Sequence, residues 1–272
     1  MSLNEPEDPV VAPAPVLPDV EREAELKVEP QPVLAAEGVP SRFCCFVTGT
    51  DTEIGKTLVS CAILHKLVAG GLRACGMKPV AAGAEERDGQ LHNEDADLLI
   101  EAGNVHLPAN ITTPYMLRAA CAPHIAAALE RVSIETVPII AAYAEIAAAA
   151  DAVVVEGVGG FRVPFSDDFD SAQMAEQLNL PVILVVGLRL GCINHALLTI
   201  EALVRRDLVL AGWVVNEIDP DMLYADENVA ALAARIPAPL LGRIPYMNNP
   251  TAEEAAKFID LAGLPGFPVK RD

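Results

Sequence analysis

Aromatic side chains are scarce in this 272-residue chain: Phe, Trp and Tyr make up 4% of it, with a single Trp. Basic residues are outnumbered two to one, 19 Lys plus Arg against 38 Asp plus Glu, for a formal charge of −19. These two shortages exclude the basic footprint and the stacking platforms of a nucleic-acid binder, and the acidic balance disfavours anionic lipid surfaces. No run approaches the ~20 apolar residues of a membrane span. The longest apolar tract, 137–150, contains Pro138 and Glu145. The N-terminus lacks the basic and then apolar regions of a secretory signal. Six cysteines (Cys44, Cys45, Cys61, Cys75, Cys121, Cys192) show no C-x-x-C spacing. That pattern suits buried thiols in a reducing compartment, not a disulfide framework or a zinc site. His65, His92, His106, His124 and His195 form no zinc-binding pattern, and no Gly-x-Ser-x-Gly nucleophile elbow is present. The expectation is a cytoplasmic protein whose partners are neither nucleic acid nor membrane.

Residues 1–41 differ from the rest. They hold eight prolines, nine acids against Arg22 and Lys27, and no aromatic residue. Such a composition buries too little apolar surface to offset ordering entropy, so a disordered acidic tail is expected over 1–41 and one domain over 42–272. From residue 42 onward, short apolar runs alternate with helical stretches. Strands are predicted at 43–47, 73–77, 152–155, 182–186 and 209–215, and helices at 56–69, 95–102, 122–131, 137–150, 171–178 and 194–206. Several strands are continuous apolar runs, the pattern of strands buried on both faces. Strand–helix alternation predicts a single α/β domain, P-loop NTPase-like, with a mainly parallel sheet and helices on both faces.

The sharpest motif is Gly49-Thr50-Asp51-Thr52-Glu53-Ile54-Gly55-Lys56-Thr57. It follows the first predicted strand and precedes a helix, the context a phosphate loop requires. Backbone N–H groups exposed at a helix N-terminus suit phosphate oxygens, Lys56 reaches the β- and γ-phosphates, and the Thr57 hydroxyl suits Mg²⁺. Five residues rather than four separate Gly49 from Gly55, so Thr50 stands where the first glycine usually lies. An ordinary βα turn would also carry glycine, but not Gly-Lys-Thr at this junction.

Four further features lie at strand ends or helix starts. Lys78-Pro79-Val80-Ala81-Ala82-Gly83 ends the second strand, on the edge where α/β sheets bind ligands, although a lone lysine there is commonly only solvated. Asp95 lies in a helix first turn, where acids also serve as ordinary dipole partners. Asp151-Ala152-Val153-Val154-Val155-Glu156-Gly157-Val158-Gly159-Gly160 is an apolar strand ending in an acid and then glycines. That arrangement lets a carboxylate hold Mg²⁺ while backbone approaches nucleotide. The run Gly187-Leu188-Arg189-Leu190-Gly191-Cys192-Ile193-Asn194-His195 carries a buried strand into a helix expected to start near Asn194, whose N–H groups suit a carboxylate. Cys192 and His195 suggest a thiol–imidazole pair, but sequence adjacency makes no dyad, and a buried thiol beside a capping histidine explains both.

These segments, together with Gly212-Trp213-Val214-Val215-Asn216 and Leu241-Gly242-Arg243-Ile244-Pro245-Tyr246-Met247, resemble the dethiobiotin synthetases over about 42–262. The lengthened phosphate loop and the Leu-Gly-Cys-Ile-Asn-His run are the specific features. The resemblance implies an ATP- and Mg²⁺-dependent ligase of biotin biosynthesis. Such an enzyme joins CO₂ or bicarbonate to 7,8-diaminopelargonic acid through a carbamate and a carbamic–phosphoric anhydride. It implies catalytic roles for Thr52, Lys56 and Lys78, and ATP contacts from Glu53, Ile54, Gly55, Lys56, Thr57 and Leu58 in the loop. Further ATP contacts are implied for Asp95, Glu156, Gly157, Val158 and Gly159, and Asn216, Glu217, Pro245, Tyr246 and Met247 are placed around adenine. Mg²⁺ would be held by Thr57, Asp95 and Glu156. Substrate would meet Lys78 and Ala82, and Gly191, Cys192, Ile193 and Asn194 across a homodimer interface. Ala82 stands where the family usually has serine. Beyond Pro250 the family's Pro-Trp-x-x-Glu-Asn-Pro pattern is not kept, and no ribose contact is carried over.

Two other classes share parts of this pattern. A dimerising switch ATPase of the chromosome-partitioning type places a lysine just after the first loop glycine, and none occurs between Gly49 and Lys56. An amide synthetase of the cobyrinic acid type carries a glutamine-hydrolysing domain, for which no motif remains here.

Overall fold

The computed structural model describes residues 43–267; the segment 1–41, expected to be a tail, lies outside them. Phe43–Gly49 (β1) runs into the phosphate loop and Lys56–Ala69 (α1), then Ala74–Met77 (β2). The chain next forms Val80–Ala82 (β3), a hairpin of Glu85–Arg87 (β4) and Gln90–His92 (β5), and Glu94–Ala102 (α2). Ala109–Thr112 (α3), Tyr115–Leu117 (β6), Pro123–Glu130 (α4) and Thr136–Ala149 (α5) lead to Ala152–Glu156 (β7) and Ser171–Leu178 (α6). Val182–Leu188 (β8), Cys192–Val204 (α7) and Leu210–Glu217 (β9) follow, then Ala225–Ala233 (α8), Leu240–Ile244 (β10) and Ala252–Ala256 (α9).

Six strands form one sheet in the order β10-β9-β8-β1-β7-β2, every pair parallel. β1 is central: Phe46 lies opposite Val155 of β7 and Val182 of β8. Central strands must be apolar on both faces, and side chains alternate between them. Along β8, Ile183 and Val185 join the cluster that includes Val59, Ile63 and Leu67 of α1, Leu99 of α2, and Ala255 and Ala256 of α9. Leu184 and Val186 face the other way, into the cluster with Trp213, Ala196 and Ile200 of α7, and Leu232 of α8. Phe46, Val153 and Val155 pack beneath α4, α5 and α6. Helices therefore cover both faces, as the sequence pattern predicts. Trp213, the chain's single tryptophan, is fully buried and its indole N–H donates to the Ala238 carbonyl at 3.1 Å, so its polar atom is satisfied.

Because every strand of the sheet is parallel, Gly49, Met77, Glu156, Leu188, Glu217 and Ile244 all end on one edge. The loops that leave that edge build the site.

Edge strand β10 meets the segment 258–260 backbone to backbone: the Asp260 N–H donates to the Leu241 carbonyl at 2.7 Å, and Gly242 bridges to Ile259. A Cβ on Gly242 would lie 2.0 Å from the Phe258 carbonyl oxygen and 3.0 Å from Ile259 Cα. Backbone cannot yield there as a flexible side chain could, so Gly242→Ala should cost about 1–3 kcal/mol or more of stability. Gly263→Ala, with nothing within 4 Å of the added methyl, should shift stability by less than about 0.5 kcal/mol. Thermal unfolding of the two variants checks the difference.

Candidate functional site

The phosphate loop is shaped by two glycines. Gly55 has φ +87°, and a Cβ there would lie 2.2 Å from Asn216 Nδ2. That amide, at the end of β9, donates to the Ile54 carbonyl at 2.9 Å and pins the loop to the sheet edge. A Cβ on Gly49 would meet Ile54 Cδ1 at 2.7 Å and Lys56 Cδ at 3.0 Å, so the loop folds directly over the strand end. Lys56 is buried, and its ammonium donates to the Asp51 carbonyl at 2.8 Å. Burial, and then the like charge of Lys78, lower its pKa to about 8, against the opposing pull of Glu156, Asp95 and Asp51. A phosphate arriving at the α1 N-terminus would meet this lysine together with the helix dipole.

Thr57, Lys78, Asp95 and Glu156 come from four different elements and meet at one point. Lys78 Nζ lies 2.6 Å from Glu156 Oε1 and 2.8 Å from Asp95 Oδ2, and 3.3 Å from the Gly157 carbonyl. Thr57 Oγ1 lies 2.8 Å from Asp95 Oδ1 and 2.8 Å from Glu156 Oε1. Glu156 is fully buried and Lys78 nearly so, at 3% exposure. Burial alone would pull the Lys78 pKa down, but the Glu156 and Asp95 carboxylates hold it above the ordinary lysine value. Burial would likewise raise Asp95, and the ion pair with Lys78 and the bond from Thr57 hold it below the ordinary carboxylate value. The three residues expected to hold Mg²⁺ thus stand together, with the expected catalytic lysine among them.

That donor set suits a hard cation. Thr57 has one hydroxyl proton for two carboxylate oxygens at hydrogen-bond distance, so one of those contacts joins oxygen lone pairs. Glu156 Oε2 is buried without a hydrogen-bond partner among the described residues. Both are unmet demands for positive charge, and hydroxyl and carboxylate oxygens are magnesium's ligands.

Other expected residues gather around this centre. Gly157 N–H donates to the Val47 carbonyl at 2.9 Å, and Gly159, with φ +62°, turns the chain beside Thr52; a Cβ on it would lie 3.4 Å from Thr52 Oγ1. Val158 is half-buried against the cluster under α4–α6, and Leu58 against the opposite one. Ala82 lies on β3, and its carbonyl accepts from Asn93 Nδ2 at 3.1 Å, which ties it to the N-cap of α2, two residues before Asp95. Glu217, at the end of β9, pairs with Arg243 at 2.6 Å, and the Tyr246 N–H approaches its other oxygen at 3.4 Å. The expected adenine segments, Asn216–Glu217 and 245–247, therefore share one rim.

The start of α7 differs from expectation. The helix begins at Cys192, with Gly191 as N-cap at φ +97°, two residues before the expected start near Asn194. A glycine in left-handed backbone initiates the helix, which places Ile193 and Asn194 in its first turn. Cys192 is buried, burial raises its thiol pKa, and its N–H donates to the Arg189 carbonyl at 3.0 Å. Its thiol is thus core, while Asn194 is exposed.

Asp51, Asn93, Arg189 and Arg243 were not singled out in the sequence, yet each organises the site. Arg189 pairs with Asp51 of the phosphate loop, 138 residues away. Arg243 joins Glu217 and Asp226, both at 2.6 Å. The readable signal is a charged or amide side chain within two positions of a motif glycine or strand end; its partner follows only from the fold.

If Asn216 pins the phosphate loop, Asn216→Ala should cost about 1 kcal/mol, or about 2–4 °C of melting temperature. Gly55→Ala should cost more, since the methyl meets that amide in strained backbone. A melting temperature unchanged in both would show that the loop needs no pin.

Residues 44–254 match the family model described as an AAA domain. ATP-dependent dethiobiotin synthetase BioD of Janthinobacterium sp. (strain Marseille) is 54% identical over 230 residues, 83% of this chain and 98% of that protein. Among solved structures, the MinC:MinD cell division protein complex of Aquifex aeolicus is 16% identical, covering 81% of this chain and 88% of that one, with a TM-score of 0.48. The septum site-determining protein MinD of Pyrococcus horikoshii is 17% identical over 83% and 87% of the two chains, with a TM-score of 0.47. With a family match across most of its length and a relative this similar over nearly all of that relative's chain, the protein belongs to the dethiobiotin synthetase family.

Proposed function

We propose that residues 42–272 form an ATP-dependent dethiobiotin synthetase that works in the cytoplasm as a homodimer. It joins CO₂ or bicarbonate to 7,8-diaminopelargonic acid, giving the cyclic urea dethiobiotin, ADP and phosphate. The observation that carries this reading is the meeting of Thr57, Lys78, Asp95 and Glu156 at the mouth of the phosphate loop, in a chain 54% identical to an enzyme of that name.

One substrate amine adds to CO₂, forming a C–N bond and releasing a proton to leave a carbamate. A carbamate oxygen then attacks the γ-phosphorus and ADP departs. The second amine closes the ring on the mixed anhydride, and phosphate leaves. The middle step brings an anion against a polyanion, so positive charge must be gathered locally. Lys56 and the N-terminus of α1 serve the β- and γ-phosphates, Thr52 lies on the phosphate side beside Gly159, and Lys78 sits between the phosphates and the carbamate. Thr57, Asp95 and Glu156 hold Mg²⁺, which when bound neutralises phosphate charge. Glu53, Ile54, Gly55 and Leu58 cradle the phosphates with backbone and packing, together with Gly157, Val158 and Gly159. Asn216, Glu217, Pro245, Tyr246 and Met247 surround adenine, where an amide can both donate and accept.

Ala82 lines the substrate side of Lys78. Gly191, Cys192, Ile193 and Asn194 of a second subunit hold the tail carboxylate through the first turn of α7. Exposed apolar side chains support the dimer. Leu198 lies one turn from Asn194 on α7 and is 56% exposed, and Leu190, in the loop before α7, is 89% exposed. Ile125 and Leu129 repeat the spacing on α4, and no helix among the described residues is long and apolar enough to cross a membrane. Six free cysteines, four of them buried, support a reducing compartment.

The mass of the product formed from ATP, labelled bicarbonate and the diamine tests the reading directly: dethiobiotin is expected, and ATP hydrolysis with no new C–N bond would overturn it. Lys56→Ala should lower urea formation by about 10²–10³-fold without unfolding the chain. The shared site has its own test. Lys78→Ala should mainly lower kcat, because its contact strengthens as charge moves, and Asn194→Ala should mainly raise the apparent KM for the diamine. Mixed dimers of the two variants carry one intact site and should recover activity above the mean of the parents. Mixed dimers verified by native mass spectrometry that stay at that mean would show that α7 does not serve a second subunit.

A further inference from the structure

Lys78 is fully engaged in this structure. Its ammonium has three protons and three acceptors: Glu156 Oε1 at 2.6 Å, Asp95 Oδ2 at 2.8 Å and the Gly157 carbonyl at 3.3 Å. Two of those acceptors belong to the carboxylates read above as the cation's ligands, and Glu156 Oε1 serves Thr57 as well. An ammonium this close to both carboxylates takes the charge that a divalent ion would use. The side chains gathered here, Lys56 and Lys78 against Asp95 and Glu156, sum to zero formal charge. Glu156 is wholly buried, and Lys78 is the cation that lies against it.

We propose that Lys78 is an exchangeable internal counter-ion: it neutralises Asp95 and Glu156 in the nucleotide-free protein and leaves them when a divalent cation enters with nucleotide. The inference rests on the reading of Thr57, Asp95 and Glu156 as the metal-holding set, and goes beyond it in assigning Lys78 two alternating positions. Lys78 is 3% exposed, so an ejected ammonium cannot be rehydrated in place. A metal ion arriving alone would leave it stranded. A metal ion arriving with phosphates gives it anions to bind, so the exchange makes ion and nucleotide enter together. It also releases the lysine's donors towards the reacting anions only once the ion is seated.

Binding of Mn²⁺ to the nucleotide-free protein, read by electron paramagnetic resonance, tests the exchange. Lys78→Met should bind Mn²⁺ at least tenfold more tightly than the native chain. Lys56→Met removes the same charge next door, where the ammonium touches the Asp51 carbonyl rather than the carboxylates, and should change affinity by less than threefold. No gain in Lys78→Met, or an equal gain in both, would overturn the exchange. Glu156→Gln separates the two layers: Mn²⁺ affinity equal to native in that variant would overturn the metal site itself. Because Lys78→Met strips a buried carboxylate of its partner, a second measurement uses the native protein. The Lys78 Nζ resonance, assigned by its absence in Lys78→Arg, should move on saturation with Mg²⁺ and ADP but not with ADP and chelator. A resonance unmoved by Mg²⁺ and ADP would refute the exchange even if no variant folds.

Discussion

A carboxylate with no exposure, Glu156, sits at the end of an interior strand, and the architecture around it is arranged to bring it polar partners. Removing such a group from water costs several kcal/mol unless partners replace the solvent. Here Lys78 supplies a full charge and Thr57 a hydroxyl. Neither partner is local in sequence: Thr57 comes from the helix after β1 and Lys78 from the end of β2, the strands on either side of the carboxylate's own. Parallel order is what makes this meeting possible, because it sends the carboxyl ends of β2, β7 and β1 to the same edge in adjacent positions.

The phosphate loop is the mechanical hub of that edge. Arg189 grips it at Asp51, Asn216 at Ile54, and Lys56 folds back within it onto the Asp51 carbonyl. Those contacts arrive from the β8–α7 loop and from the end of β9, and Asn93 adds a parallel tie between α2 and β3. A loop held from several sides offers its N–H groups in a fixed direction, and a preorganised loop loses little further entropy when it binds. The arrangement costs side-chain freedom at exposed residues such as Arg189, whose pair with Asp51 is half in solvent and contributes little to global stability. Its value lies in position.

What could be read in the sequence follows the same physics. Strands at 43–47, 152–155 and 182–186 were legible because burial on both faces leaves a continuous apolar run. Edge strand β10 was not predicted, since Gly242 and Arg243 interrupt its apolar residues and an edge tolerates that. β3 and β6, three residues each, are too short to show a period. The β4–β5 hairpin did carry a signal, Asp88-Gly89, both with positive φ, and α9 carries a capping box from Thr251 to Glu254. Lys56, Thr57 and Glu156 stood out because their residue types stand at a strand end or helix start in a phosphate-loop pattern, whereas Lys78 and Asp95 stood out only through the family resemblance. Asp51 with Arg189, and Glu217 with Arg243, were not, because a pair of surface charges 138 or 26 residues apart leaves no trace until the sheet order is known.

The charge distribution resolves an apparent conflict between an acidic protein and an anionic cosubstrate. A formal charge of −19 should repel ATP, but surface charges are screened over about 8 Å at physiological salt. Inside the site the two lysines Lys56 and Lys78 balance Asp95 and Glu156, with Lys78 paired to both carboxylates, so the sum is zero by balance and not by a lack of charge. Replacing such a buried pair with apolar residues is often neutral or stabilising for a fold. Stability alone therefore gives little reason to keep one here. A latent dipole of this kind stays closed to stray anions and stray cations alike, and opens only to a ligand that brings both signs at once, which is the composition of a metal-bound nucleotide.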